Sequence, residues 1–461
     1  MRGTHARRAA LAAAAVLGAA AALGALGACG KKKRQTRASD APPVELISVA
    51  GLSDAGVGGK AGETDEREPN DGADVATALP VGGAVRGRIE PDNEADYYRI
   101  EVEAAGALAV SLAAVAGVDL TLEIEDAAGA VLAKSDRGAA NVAEGVPNLG
   151  VSAGRYTAVV RKKSLPVKKV APKPARPKKG APPPAASPSP EAPQPSSAPM
   201  YRISAQLAPP GKNAEREPDD DRGTANDLIV GDTATGFVGW AGDADVWKFS
   251  VEALTDKNVL ELELGPVEGL ALAVEIADGI GQTIVARKAP RGAALVIRGL
   301  APVVPQGAPP FHYVIVRAAE RASSSPEVPY QLKLAAPPRG TDPELEPNDS
   351  PDKAMEIPGE RTVIGDASWT PGDVDCYAVP PEPNARTLEF TVDTPAEADL
   401  RVDLYVNGKS IETADKKGKG TPEKISGAVP ADGRAVLCVR GSDASREGKY
   451  SLGFKEVQPK P

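Results

Sequence analysis

The amino-acid sequence predicts an all-β chain of three tandem antiparallel β-sandwich domains, jelly-roll-like in type, and three observations carry that expectation. Glycine (47) and proline (44) together far exceed ordinary usage over 461 residues, which favours turns over helices. Short segments such as Leu120-Thr121-Leu122-Glu123-Ile124, Leu272-Ala273-Val274-Glu275-Ile276 and Leu400-Arg401-Val402-Asp403-Leu404 are apolar at every second position. A period of two puts one face in a core and the other in water, as a half-buried strand requires. One six-residue pattern, Glu-x-Glu-Pro-(Asn/Asp)-Asp, occurs at 66–71, 215–220 and 344–349, and that recurrence marks repeated structural units.

Arg2, Arg7 and Arg8 precede an unbroken run of Ala, Leu, Gly and Val from 9 to 28, the profile of a secretory signal. The run ends in Leu26-Gly27-Ala28-Cys29, which resembles the bacterial lipobox. That resemblance implies cleavage after residue 28 and a lipid anchor on Cys29, and Gly30 after the cysteine implies the outer membrane. The alternative is a transmembrane anchor of about 20 residues, although Ala and Gly span a bilayer poorly. Residues 29–62 read as a flexible tether. Its Lys31, Lys32, Lys33 and Arg34 either attract anionic headgroups or simply remain solvated. Removing 1–28 takes three of 54 basic residues and no acid, leaving 51 against 63, a net charge of −12. Such a balance argues against nucleic acid as a partner.

The repeats occupy 63–209, 213–338 and 342–457. Each motif leads to an acidic strand start: Glu94-Ala95-Asp96-Tyr97-Tyr98, Asp243-Ala244-Asp245-Val246-Trp247 and Asp373-Val374-Asp375-Cys376-Tyr377. An aromatic residue falls two positions after the last acid every time. Each unit closes with two strands, in the third copy Ala435–Val439 and Tyr450–Phe454. Successive motifs are 149 and then 129 residues apart, and the excess is a Lys/Pro tract at 162–199 with 12 prolines. Tyr156–Val160 matches the penultimate strand and Tyr201–Ala205 the last, so the tract is expected to be an enlarged, disordered hairpin loop within the first sandwich. It reads as a solvated spacer or as an extended arm that reaches an anionic envelope polymer.

With the paired motifs in view, most of the chain, roughly 63–457, resembles the bacterial pre-peptidase C-terminal domain, a relative of collagen-binding domains of clostridial collagenases. The resemblance implies a structural calcium site made from the motif and the acids of the next strand. Carried across, the ligands are Glu66, Glu68, Asn70, Asp71 and Asp96; then Glu215, Glu217, Asp219, Asp220, Asp243 and Asp245; then Glu344, Glu346, Asn348, Asp349, Asp373 and Asp375. The third copy matches most fully; the second has Asp219 for Asn, and the first has Glu94 for Asp. An all-oxygen set suits calcium rather than zinc or copper. The competing reading is a Pro-Asn-Asp turn with solvated acids.

With Cys29 lipidated, Cys376 and Cys438 remain, an even number in an exported chain, on strands expected to be adjacent; a disulfide is the expectation and two buried thiols the alternative. Gly150-Val151-Ser152-Ala153-Gly154 has the form of a nucleophile elbow, yet a strand rather than a helix follows it. His312, the one histidine outside the signal, opens an apolar strand and reads as structural. Trp240 and Trp369 precede acidic strand starts, where each forms either an exposed ligand platform or a cap on a core. No stretch is left to house the peptidase that such domains often accompany. The expected function is therefore a non-catalytic binding, adhesion or scaffold module of the cell envelope, meeting a polysaccharide, protein or other envelope polymer. The alternatives are an accessory carbohydrate- or protein-binding module for a secreted hydrolase and, more remotely, a carboxylate-based glycosidase.

Overall fold

The computed structural model describes residues 62–88, 95–138, 140–163, 199–340, 344–357, 359, 362–366, 373–441 and 449–458. The expected export segment with Cys29, the expected tether up to residue 61, Glu94, the Lys/Pro tract from 164 to 198 and Trp369 lie outside the described residues. The first sandwich comprises β1 (Glu63–Asp65), β2 (Thr77–Ala78), β3 (Gly83–Arg88), β4 (Ala95–Val102), β5 (Gly106–Leu112), β6 (Leu120–Glu125), β7 (Val131–Ser135), β8 (Glu144–Val151), β9 (Gly154–Lys162) and β10 (Met200–Ala208). The second contains β11 (Asn226–Asp227), β12 (Thr233–Gly236), β13 (Ala244–Ser250), β14 (Leu260–Leu264), β15 (Leu272–Ala277), β16 (Thr283–Lys288), β17 (Leu295–Leu300), β18 (Phe311–Ala318) and β19 (Tyr330–Ala335). The third contains β20 (Met355–Glu356), β21 (Val363–Asp366), β22 (Asp375–Val379), β23 (Arg386–Asp393), β24 (Leu400–Val406), β25 (Lys409–Ala414), β26 (Glu423–Val429), β27 (Ala435–Gly441) and β28 (Lys449–Val457). No α-helix occurs among the described residues.

The strand order repeats. One sheet runs β3-β10-β5-β8, β12-β19-β14-β17 or β21-β28-β23-β26, with β1 added beside β3 in the first sandwich. The facing sheet runs β2-β4-β9-β6-β7, β11-β13-β18-β15-β16 or β20-β22-β27-β24-β25. Pairing is antiparallel apart from the short leading strands such as β1 on β3 and β2 on β4. The period-two segments read from the sequence are β6, β15 and β24, and their inward residues enter three separate cores.

The strands that flank the Lys/Pro tract do not form the expected hairpin. β9 pairs with β4 and β6, whereas β10 pairs with β3 and β5 in the facing sheet. The chain therefore changes sheet between β9 and β10, as it does between the last two strands of every repeat. Cys376 and Cys438 are directly opposite each other on β22 and β27, with Cα atoms 4.1 Å apart, and are disulfide-bonded. They form a small apolar patch with Ala378 and Val436, on the face turned away from Tyr377, Leu437 and Val439 in the main core.

One polar device crosses every core. Tyr201, Tyr330 and Tyr450 at the start of the last strand reach Tyr98 (2.6 Å between hydroxyls), the Trp247 indole N–H (2.9 Å) and Tyr377 (2.5 Å between hydroxyls). These are the aromatic residues two positions beyond the acidic strand start, and all three are fully buried. Each final-strand tyrosine pairs across its sheet with a glycine: Gly87, Gly236 or Gly365. A Cβ at any of these would overlap the tyrosine ring or hydroxyl. Gly236→Ala is therefore expected to destabilise by about 1–3 kcal/mol through overpacking. Urea unfolding checks this, and an unchanged midpoint would show that the ring has room to yield.

Candidate metal centres

Each Glu-x-Glu-Pro segment lies where pieces of both sheets converge. The first glutamate donates its backbone N–H to the sheet containing the last strand: Glu66 to Arg86 O at 2.9 Å, Glu215 to Thr235 O at 2.9 Å and Glu344 to Ile364 O at 3.0 Å. Four residues later the carbonyl of Asn70, Asp219 or Asn348 accepts from Tyr97 (2.9 Å), Val246 (3.2 Å) or Cys376 (3.0 Å) in the facing sheet. The intervening Glu–Pro peptide is cis in all three copies. This path brings the motif glutamates against the acid of the strand start. The resulting sets are Glu66, Glu68 and Asp96; Glu215, Glu217, Asp219 and Asp245; and Glu344, Glu346 and Asp375. A further set joins Glu346, Asp349 and Asp373; within each set one oxygen per residue lies within 4.8 Å of the others. That span is about twice a calcium–oxygen distance of about 2.3–2.6 Å.

The second repeat concentrates the most charge in the least water. Glu215, Glu217, Asp219, Asp243 and Asp245 are each 0–2% exposed. Four of them have one oxygen held by a donor. Phe237 N–H donates to Glu215 at 2.5 Å, Asp219 N–H to Glu217 at 2.9 Å, the Asn226 amide to Asp219 at 2.6 Å and Gly239 N–H to Asp243 at 2.5 Å. The other oxygens, Glu215 Oε1, Glu217 Oε1, Asp219 Oδ1 and Asp243 Oδ1, are buried with no donor among the described residues. Burial, reinforced by neighbouring carboxylates, pushes Glu217 and Asp219 up to about 8 and Asp243 up to about 9. Glu215 and Asp245 are raised well above the carboxylate range for the same reasons.

The departure of the second copy from Asn has a direct consequence. In the flanking copies the asparagine amide donates to the first glutamate, Asn70 to Glu66 at 3.3 Å and Asn348 to Glu344 at 3.0 Å. Asp219 cannot donate, so it removes a donor and adds an acid. The first cluster is the most open: Glu68 is exposed and Glu66 half-buried, while Tyr98 donates to Glu66 at 2.7 Å and Tyr201 to Asp96. In the third, Tyr450 donates to Asp375 at 2.6 Å, and burial with the neighbouring Glu344 and Asp373 raises that carboxyl well above its usual range. Asp71 and Asp220 are exposed and stand outside the sets; Asp220 accepts from Ala244 N–H at 3.3 Å. Asp349, the same motif position in the third copy, turns inward to Arg287.

Trp240 is not an exposed platform. It is half-buried against the core of the first sandwich, because the loop that carries it meets that sandwich across the junction. Ser152 lies exposed in the turn between β8 and β9, and its N–H donates to the Tyr156 hydroxyl at 3.1 Å, so no helix follows the Gly-x-Ser-x-Gly stretch. His312 is fully buried on β18, edge-on to Phe249. Sequence reasoning missed Tyr201, Tyr330, Tyr450 and Arg287. The tyrosines had a signal, since one opens each final strand opposite a glycine. Arg287 had none, because its partners belong to the next sandwich.

No family model and no curated protein matches the chain. Among solved structures it is similar in part to the pre-peptidase C-terminal domain of a collagenase from Bacillus anthracis, at 19% identity and a TM-score of 0.19, over 22% of this chain and 94% of that one. It is similar to PliG, a periplasmic inhibitor of g-type lysozyme from Aeromonas hydrophila, at 18% identity and a TM-score of 0.17, over 23% of this chain and 97% of that one. A third likeness is to the CUB1-EGF-CUB2 domains of human MASP-1/3, at 8% identity and a TM-score of 0.16, over 55% of this chain and 99% of that one.

The raised carboxyls fix a sign for the metal-free protein. Glu217, Asp219 and Asp243 hold protons in the fold up to about 8, 8 and 9, but release them near pH 4 when unfolded. Between those values the native state binds more protons, so stability is fullest near pH 4 and falls as pH rises toward 9. Unfolding in chelator at pH 5 and pH 8.5 should give the lower midpoint at pH 8.5, and Asp243→Asn should shrink the difference. A flat profile would mean that these groups do not titrate as described.

Proposed function

We propose that the chain is a non-catalytic binding or scaffold protein of the cell envelope, lipid-anchored through Cys29, whose sandwiches are braced by calcium. The observation that carries the calcium reading is the second cluster: five buried carboxylates with unpartnered oxygens and, among the described residues, no lysine or arginine in ion pair with them. Buried anions must be protonated or matched by a cation. Glu215, Glu217, Asp219 and Asp245 would hold a hard divalent ion, and calcium accepts such an irregular all-oxygen set more readily than magnesium. The ion would supply charge neutralisation and a fixed crossing of chain segments.

The same burial supports a non-catalytic role, because carboxylates at 0–2% exposure are out of reach of a substrate. Their position supports a bracing role. Gly150 N–H on β8 donates to Glu217 O at 2.7 Å, and Glu217 N–H donates to Asn148 O at 3.2 Å, so the cluster is built into the junction of the first two sandwiches. Arg137 adds an ion pair to Glu327 at 2.5 Å across it. A stiff array of this kind suits the display of exposed sandwich faces to a polysaccharide or protein of the envelope.

Calcium should raise the melting temperature of residues 62–461, by an amount equivalent to about 2.7 kcal/mol when free calcium is a hundred times its dissociation constant. Asp245→Asn should remove most of the rise. The reading fails if calcium and chelator give the same curve, since a buried ligand set that ignores calcium at millimolar concentration has no bracing role for it.

A further inference from the structure

Arg287 lies on β16 of the second sandwich, yet its charged end is inside the third. Its side chain is 5% exposed, and Nη2 donates to Asp349 Oδ1 at 2.6 Å, Asp373 Oδ1 at 2.8 Å and Glu346 Oε1 at 3.0 Å. Nη1 adds a contact to Asp349 Oδ2 at 3.2 Å. These carboxylates also lie close enough together to hold a metal ion. A cation is thus already among them, and it belongs to the protein. The inner set, Glu344, Glu346 and Asp375, is separate apart from the shared Glu346.

The register shows that only the second sandwich presents such a residue here. Arg287 pairs with Val274, Ser135 with Leu122 and Ala414 with Val402, three equivalent places on β16, β7 and β25. Ser135 is turned within its own sandwich, donating to Glu144 at 2.5 Å. The first sandwich therefore offers no guanidinium to the second cluster at this place. Backbone docking is otherwise the same at both junctions, for Glu346 N–H donates to Gly299 O at 2.9 Å and Ala301 N–H to Glu346 O at 3.1 Å.

We propose that Glu346, Asp349 and Asp373 form an outer cation position and that Arg287 fills it, closing the junction of the second and third sandwiches with the protein's own guanidinium in place of a metal ion. A buried guanidinium with three carboxylate partners holds both charges and geometry, and removing it leaves the acids uncompensated. The two junctions then differ in kind, the first depending on a divalent ion and the second on an arginine. The choice of calcium as competing ion rests on the function proposed above.

The test is calorimetric titration of calcium into the full exported chain, as the parent, Arg287→Ala and Arg287→Lys. Arg287→Ala should bind one more calcium equivalent than the parent, and Asp373→Asn added to it should remove that equivalent. Arg287→Lys should keep the parental stoichiometry. Folding of Arg287→Ala only when calcium is present would equally support the proposal. Parental stoichiometry in Arg287→Ala, or failure to fold at any calcium concentration, would overturn it. A parent that binds no calcium would sink the calcium-bracing function, yet acquisition of an equivalent by Arg287→Ala would still support the role of Arg287.

Discussion

Acidic side chains buried where three stretches of chain cross are the constraint to which the rest of the molecule answers. The crossing is useful because the motif backbone bonds to both sheets of its own sandwich and, in the second and third copies, to the edge of the sandwich before it. The cost is that carboxylates lose water, and isolated buried ions are far too unfavourable to persist without compensation. The three copies meet that cost differently. The first leaves Glu68 in solvent and gives Glu66 and Asp96 tyrosine hydroxyls. The second gathers five buried acids with bare oxygens, a state met in the metal-free fold by carboxyls that hold their protons well above the usual carboxylate range. The third borrows a guanidinium from its neighbour.

Local pattern made the fold legible. Period-two segments at β6, β15 and β24 require only that one face be apolar, a property of consecutive residues, and the three motifs reveal repetition without any structural knowledge. The pairing of Cys376 with Cys438 followed from parity and from the place of each cysteine beside core-facing residues. What escaped was settled between sandwiches or between layers. Trp240 has the local setting of a surface aromatic and packs on a different sandwich; Arg287 has the setting of an exposed strand residue and is buried by the next one. The hairpin expected of β9 and β10 failed because strands consecutive in sequence usually pair, whereas this topology places them in opposite sheets.

The cross-core tyrosines connect the acidic clusters to packing. A phenol hydroxyl buried without a partner is unfavourable, and here it is satisfied by another aromatic group and, in the first and third copies, by the strand-start aspartate. The glycine opposite each tyrosine leaves room for this reach. In the first and third copies core and cluster are therefore one structure: the tyrosine that fills the sandwich end also donates to the acid set. The aromatic two positions after the acid recurs as Tyr98, Trp247 and Tyr377, each hydrogen-bonded to the tyrosine of the last strand. Where the residue is Trp247, the indole donates to Tyr330 and cannot accept, so the second copy has a different hydrogen-bond polarity beside its most acidic cluster.

Docking of one sandwich on the next is a property of the edge strand. β8 and β17 each have a register shift against their inner neighbour, and the displaced backbone around Leu149 and Leu300 is what bonds to Glu217 and Glu346. Gly299 adopts a φ of +68°, and a Cβ there would press on the Glu344 carbonyl, so glycine is required at that contact. β26 occupies the same place in the third sandwich but pairs with β23 in continuous register from Val392↔Glu423 to Arg386↔Val429. Its burial alternates with exposed residues, whereas β8 and β17 contain none. An alternating edge without the shift presents neither the displaced backbone nor a guanidinium, since Ala414 stands at the Arg287 place. The features that receive a following sandwich are therefore separable from the fold itself: a bulge and a glycine make the backbone contact, and at the second junction one side chain, Arg287, adds the ion pairs.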